Sequence, residues 1–129
     1  MIEIIKDKKI LKKLGKIGFK KEPTFVNLFE ALPVELYSDN LMVGSEQVTF
    51  GCFGSLMIRK NTWQDSKDTY ETGYMYQESG IGLRHRFSQE DEELLISLAK
   101  MLIWLAKKGY KLYDKYPFLK LKKDDINCL

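Results

Sequence analysis

The only histidine of the chain, His85, stands between Arg84 and Arg86 in the stretch GYMYQESGIGLRHRF. An imidazole beside two guanidinium groups could serve acid–base chemistry or hold an anion. Cysteine–histidine or serine–histidine catalysis needs the base within hydrogen-bond reach of the nucleophile, so His85 would have to supply it. Cys52 and Cys128 lie far apart and form neither a CxxC motif nor a disulfide framework. One histidine and two distant cysteines fall short of the usual nitrogen–sulfur set of a zinc site, so neither metal nor cofactor is expected. GCFG at 51–54 lacks the spacing and the Lys-Ser/Thr of a phosphate-binding loop, and ESGIG at 78–82 lacks the strand-to-helix context of a dinucleotide fingerprint. The EDEE run at 90–93 reads as the start of a helix, where neighbouring positions do not face one another as a carboxylate pair would. No catalytic residue is assigned, and the expectation leans away from an enzyme.

Whether the Arg-His-Arg triplet is a site depends on the element that carries it. Residues around 70–87 alternate with period two, and Glu78-Ser79-Gly80 suits a three-residue hairpin turn with glycine in the left-handed position. That turn would set Gly73 opposite His85 and Glu71 opposite Phe87 on one face, with Tyr76 near Gly82, Tyr74 opposite Arg84 and Thr72 opposite Arg86 on the other. The triplet then divides. His85 joins an apolar face, where Gly73 leaves room for a small ligand, and the arginines join Tyr74 and Tyr76 on a face suited to stacking and forked hydrogen bonds.

Upstream, DKKILKKLG predicts a short helix capped by Asp7 and stopped at Gly15. In TFVNLFEALP, Phe25, Leu28, Phe29 and Leu32 fall at helical spacing behind a Thr24 cap, so all four are expected on the core. Strands are expected near 34–37, 41–43 and 47–59, the last with Leu56 and Ile58 on one side and Ser55, Met57 and Arg59 on the other. Ser88 as cap and the acids after it predict a helix over 89–108. Its polar stripe runs through Glu93, Ser97, Lys100 and Lys107, and Trp104 falls on that stripe as a candidate contact residue. The tail with Tyr110, Tyr113 and Tyr116 is a candidate cover for it.

At 129 residues, the chain has the length of one ordinary domain, taken as 1–129. With 44% hydrophobic and 30% charged residues it has the balance of a globular chain rather than a disordered one. The longest apolar run, Leu94 to Ala106, covers 13 residues, short of the about 20 that span a bilayer, so no membrane insertion is expected. The N-terminus turns to lysine before an apolar signal segment can form, which makes a cytoplasmic location the expectation. Charge is uneven. Residues 1–21 hold eight lysines against two acids, residues 22–106 six basic against thirteen acidic residues, and residues 107–129 seven lysines against three acids. All basic residues of the two ends are lysines, which lack the fork that reads phosphate or guanine bidentately.

These observations predict an α+β fold: short N-terminal helices, an antiparallel meander of four to five strands, and one long C-terminal helix packed on the sheet. The function expected is a small non-enzymatic binding protein acting by protein–protein contact or self-association, of the inhibitor or toxin-immunity type, with Tyr74, Tyr76, Arg84, Arg86 and Trp104 as contact residues. Two alternatives follow from the same residues. One is nucleic-acid binding through the lysine-rich ends and the Tyr/Arg face; the other is a small-ligand pocket, or an unfamiliar enzyme, at His85 and Gly73.

Overall fold

The computed structural model describes residues 2–38, 41–43, 46–48, 52–77 and 84–107, with strand pairing alone described for 35–38, 41–43, 46–48, 52–54, 76–77 and 84–87. In chain order the elements are α1 (Lys8–Lys16), α2 (Phe25–Ala31), β1 (Glu35–Ser38), β2 (Leu41–Val43), β3 (Glu46–Val48), β4 (Cys52–Asn61), β5 (Thr69–Gln77), β6 (Arg84–Asp91) and α3 (Leu94–Lys107). The class is α+β with an antiparallel sheet. The consecutive meander is confined to β4, β5 and β6. β1 joins the far edge of β4, giving the order β1-β4-β5-β6, and β2 and β3 pair only with each other. The strand expected over 47–59 is thus two strands in different sheets. Among the described residues no helix is long and apolar enough to cross a membrane.

Local chemistry explains the helix ends. Asp7 Oδ1 accepts from Lys9 N at 2.9 Å and Ile10 N at 3.1 Å, satisfying two donors that the first turn of α1 leaves unpaired. That helix runs through Gly15 and ends before Gly18, whose φ of 90° suits glycine alone at little cost. Thr24 caps α2 through Asn27 N. α3 begins later than the sequence predicts, because Ser88, Glu90 and Asp91 belong to β6. Pairing from Gly73↔Ser88 to Tyr70↔Asp91 gives those residues ladder partners that a helix start could not. Asp91 then accepts from Glu93 N at 2.9 Å and turns the chain toward α3.

The core lies between the helices and one face of the sheet. Ile10 and Leu14 of α1, Leu28 and Ala31 of α2, and Leu98, Met101, Leu102 and Leu105 of α3 are buried, with Leu56 and Ile58 of β4 packed against them. Thr72 of β5 meets Ser97 of α3 at 2.8 Å, which fixes this as the helix-side face. Ser97 is therefore buried, not part of a solvated stripe. Lys100, also on the expected polar stripe, is tied to Asp91 Oδ1 at 2.8 Å and the Glu90 carbonyl at 3.1 Å, so that stripe serves the β6–α3 junction.

Candidate functional site

The hairpin register departs from the expected one by three residues. Tyr74 pairs with Phe87, Tyr76 with His85, Gln77 with Arg84, Met75 with Arg86 and Gly73 with Ser88. Positions 77 and 84 close the pairing, and Glu78-Ser79-Gly80 lies outside the described residues. Alternation still sends positions 84 and 86 to one side and 85 to the other. An odd shift nevertheless exchanges their neighbours. Positions 74, 76, 85 and 87 share the helix side, and 73, 75, 84, 86 and 88 share the outer side with Glu71.

Tyr74 is the main correction. Expected beside Arg84 as a contact residue, it is fully buried, and its hydroxyl donates to the Pro33 carbonyl at 2.8 Å. A ring of that size with one polar atom suits a core position that supplies an acceptor. Burial pushes its phenol far above the ordinary tyrosine value by desolvating the charged form. The expected Gly73–His85 pairing does not form either: Gly73 is buried and pairs with Ser88, and His85 pairs with Tyr76.

Glu71 explains the register. Its side chain is only 1% exposed although it lies on the sheet face away from α3. Arg59 Nε donates to its Oε1 at 2.6 Å, Asn61 Nδ2 to the same oxygen at 3.4 Å, and the Ser88 hydroxyl to Oε2. In the expected register Phe87 would have stood across from this carboxylate, leaving Arg59 and Asn61 on Oε1 but taking the Ser88 donor from Oε2, and a buried carboxylate oxygen without its donor is costly. With both oxygens occupied by donors, the cluster acts as a structural clasp across β4, β5 and β6. Arg84 and Arg86 occupy register positions on the same outer face.

Trp104 is half-buried against the core. It lines a trough of about 270 Å³ with Ile10 and Lys13 of α1, Gln89 of β6, and Lys100 and Lys107 of α3. The expected contact residue thus sits in a cationic, aromatic concavity rather than on an open stripe. Lys8, Lys9, Lys12, Lys13 and Lys16 are exposed along the adjoining α1.

The surface that sequence reasoning missed is on α2. Phe25 and Phe29, both expected in the core, are 40% and 43% exposed and stack with ring centroids 5.7 Å apart. The helix is rolled so that Leu28 and Ala31 form its buried line, and the phenylalanines fall on its flank. The small side chain of Ala31 permits that close approach, and its place one turn from Leu28 was the signal available in the sequence. Val26 is also exposed, and Val34, at 66%, continues the patch toward β4. There Phe29, Val34, Leu56 and Ile58, with Ser55, line an apolar hollow of about 280 Å³.

Among the described residues no group of three or more His, Cys, Asp or Glu side chains could hold a metal ion. Comparison of the chain with known protein families, curated proteins and solved structures finds no match.

Proposed function

We propose that this is a non-enzymatic binding protein that acts by protein–protein contact, and that the contact surface is the apolar ridge of Phe25, Phe29 and Val34 beside β4. The observation that carries this reading is the pair of stacked, half-exposed phenylalanines above an apolar hollow. A continuous apolar patch of this kind is an interaction mark, whereas single exposed apolar residues are ordinary. Aromatic anchors seated beside a pocket supply most of the binding energy in protein interfaces. Occluding a partner's surface, the mode of small inhibitors and immunity proteins, requires no more chemistry than this.

The test compares wild type with a Phe25→Ser/Phe29→Ser double variant as immobilised baits in an extract of the native host. Circular dichroism first establishes that the variant is folded. A protein retained in stoichiometric amount by wild type and lost from the variant is the expected outcome. Equal retention by both would remove the ridge as the contact surface.

A second reading has its own observation in the Trp104 trough and the lysines of α1. Together they suit an anionic chain such as nucleic acid. Burial of Tyr74 withdraws the stacking platform that reading first relied on. Retention on heparin that falls steeply with salt, and falls further in Lys12→Gln/Lys13→Gln, would support it; salt-independent retention would sink it.

A further inference from the structure

The form of the partner is written in the edge of β4. β1 occupies that edge only along Cys52–Ser55, and its last bond is Leu56 N donating to the Val34 carbonyl at 2.9 Å. That bond fixes the direction of every backbone group beyond it. Alternation turns the N–H and C=O of Ile58 and Lys60 the same way as those of Leu56, away from β5, which pairs with β4 through to Asn61. Among the described residues no strand lies on this side past Leu56. Among the described residues, Ile58 and Lys60 therefore present a hydrogen-bonding edge with no strand partner, the feature that templates a further strand.

The side chains beneath this edge are apolar on one face. Leu56 and Ile58, paired with Tyr74 and Thr72, lie on the helix side of the sheet and floor the hollow walled by Phe29 and Val34. Lys60, on the same side of the strand, is half exposed, with its ammonium 5.8 Å from the Tyr70 ring centroid and 3.5 Å from the half-exposed Asp68 carboxylate. Such an open ion pair contributes little by itself and leaves room for a further acid. A second copy of this chain fits poorly. Antiparallel self-pairing about Ile58 would put Lys60 of one copy where Val34 already sits, self-pairing about Arg59 would oppose two guanidinium groups, and self-pairing about Lys60 would oppose two ammonium groups.

We propose that the β4 edge from Leu56 to Lys60 takes up an extended segment of a partner protein by strand addition, with alternate apolar side chains seated in the Phe29–Val34–Leu56–Ile58 hollow and an acidic side chain beside Lys60. Backbone bonds to Ile58 and Lys60 supply affinity, and the hollow and the ammonium supply selectivity. The proposal rests on the contact surface assigned above and adds the conformation and chemistry of what binds there.

The probe is a phage-displayed library of random nine-residue peptides panned on the full protein, with selected peptides resynthesised for anisotropy titration. Selected sequences should alternate apolar residues and carry an acid at one end, and binding should slow hydrogen exchange at the Ile58 and Lys60 amides. N-methylation of a selected peptide at alternate residues should weaken it tenfold or more in one phase and little in the other. Lys60→Pro removes an outward edge donor where proline is tolerated, so it should lose at least tenfold, while Lys60→Thr loses less. Failure to enrich any alternating sequence, or indifference of the titrations to N-methylation, overturns strand addition. So does a dimer in sedimentation that Lys60→Pro dissolves. Peptides lost in Phe29→Ser but unchanged by N-methylation would overturn strand addition while leaving the contact surface standing; peptides indifferent to both changes would remove the surface as well.

Discussion

The hydroxyl of Tyr74 reaches the carbonyl of Pro33, 41 residues away in sequence, at 2.8 Å inside the core. The bond ties the central strand of the sheet to the link between α2 and β1, and so holds Val34 beside Leu56 where the apolar hollow forms. Tyr74→Phe keeps the ring and removes the donor, leaving a buried carbonyl unsatisfied. We predict a loss of about 1–2 kcal/mol in chemical denaturation with no change in slope. A loss of the Phe29-dependent contact along with it would show that this bond shapes the surface as well as the core.

The same phenol makes stability sensitive to alkali. Its pKa is raised in the folded state by burial, whereas in the unfolded chain it titrates near 10. The unfolded state therefore sheds a proton that the folded state keeps once the pH passes about 10, and the contribution is intact below that value. Wild type should lose stability above pH 10 about 1.4 kcal/mol per pH unit more steeply than Tyr74→Phe. Parallel curves for the two proteins would mean that the hydroxyl ionises without unfolding.

Glu71 gives a second test of the sheet. Arg59→Met withdraws the cation from a carboxylate that is 1% exposed, while the guanidinium itself is 40% exposed. The cost should be about 2 kcal/mol, below the ~3–5 kcal/mol seen when a fully buried pair is broken, because solvent screens the open side. Replacing both partners, as Arg59→Met/Glu71→Leu, should recover much of that loss. A double variant weaker than the sum of its single changes would show that the carboxylate does more than clasp the strands.

Much of the architecture was legible because it is written in local chemistry. Asp7 and Thr24 cap where their short polar side chains say they should, and Leu56 and Ile58 alternate inward against Ser55 and Arg59 as period two requires. What sequence could not supply was the competition between local and distant partners. The glycine after Glu78-Ser79 argued for one register, but only the other brings Ser88, seventeen residues downstream, to the second oxygen of a Glu71 carboxylate already held by Arg59. Phe25 and Phe29 carry a helical period that reads as core, and the burial of Leu28 and Ala31 in the core turns them outward. The candidate contact surface lay in residues assigned to the interior, and the assigned anchor Tyr74 proved to be interior itself.

The Thr72–Ser97 contact, 2.8 Å and fully buried, joins the sheet to α3 and lets the direction of one hydrogen decide a mutational asymmetry. The Ser97 hydroxyl has a second neighbour, the Leu94 carbonyl at 2.8 Å, which can only accept. Ser97 therefore donates to Leu94, and Thr72 donates to Ser97. Thr72→Val removes a donor and leaves Ser97 with its own bond intact, so the change should cost under about 1 kcal/mol. Ser97→Ala strands the Thr72 donor in an apolar setting and should cost about 1–3 kcal/mol. In a double-mutant cycle the pair should be nearly as stable as Thr72→Val alone. A larger cost for Thr72→Val than for Ser97→Ala would reverse the assigned hydrogen, and additive costs would mean that the hydroxyls do not sense each other.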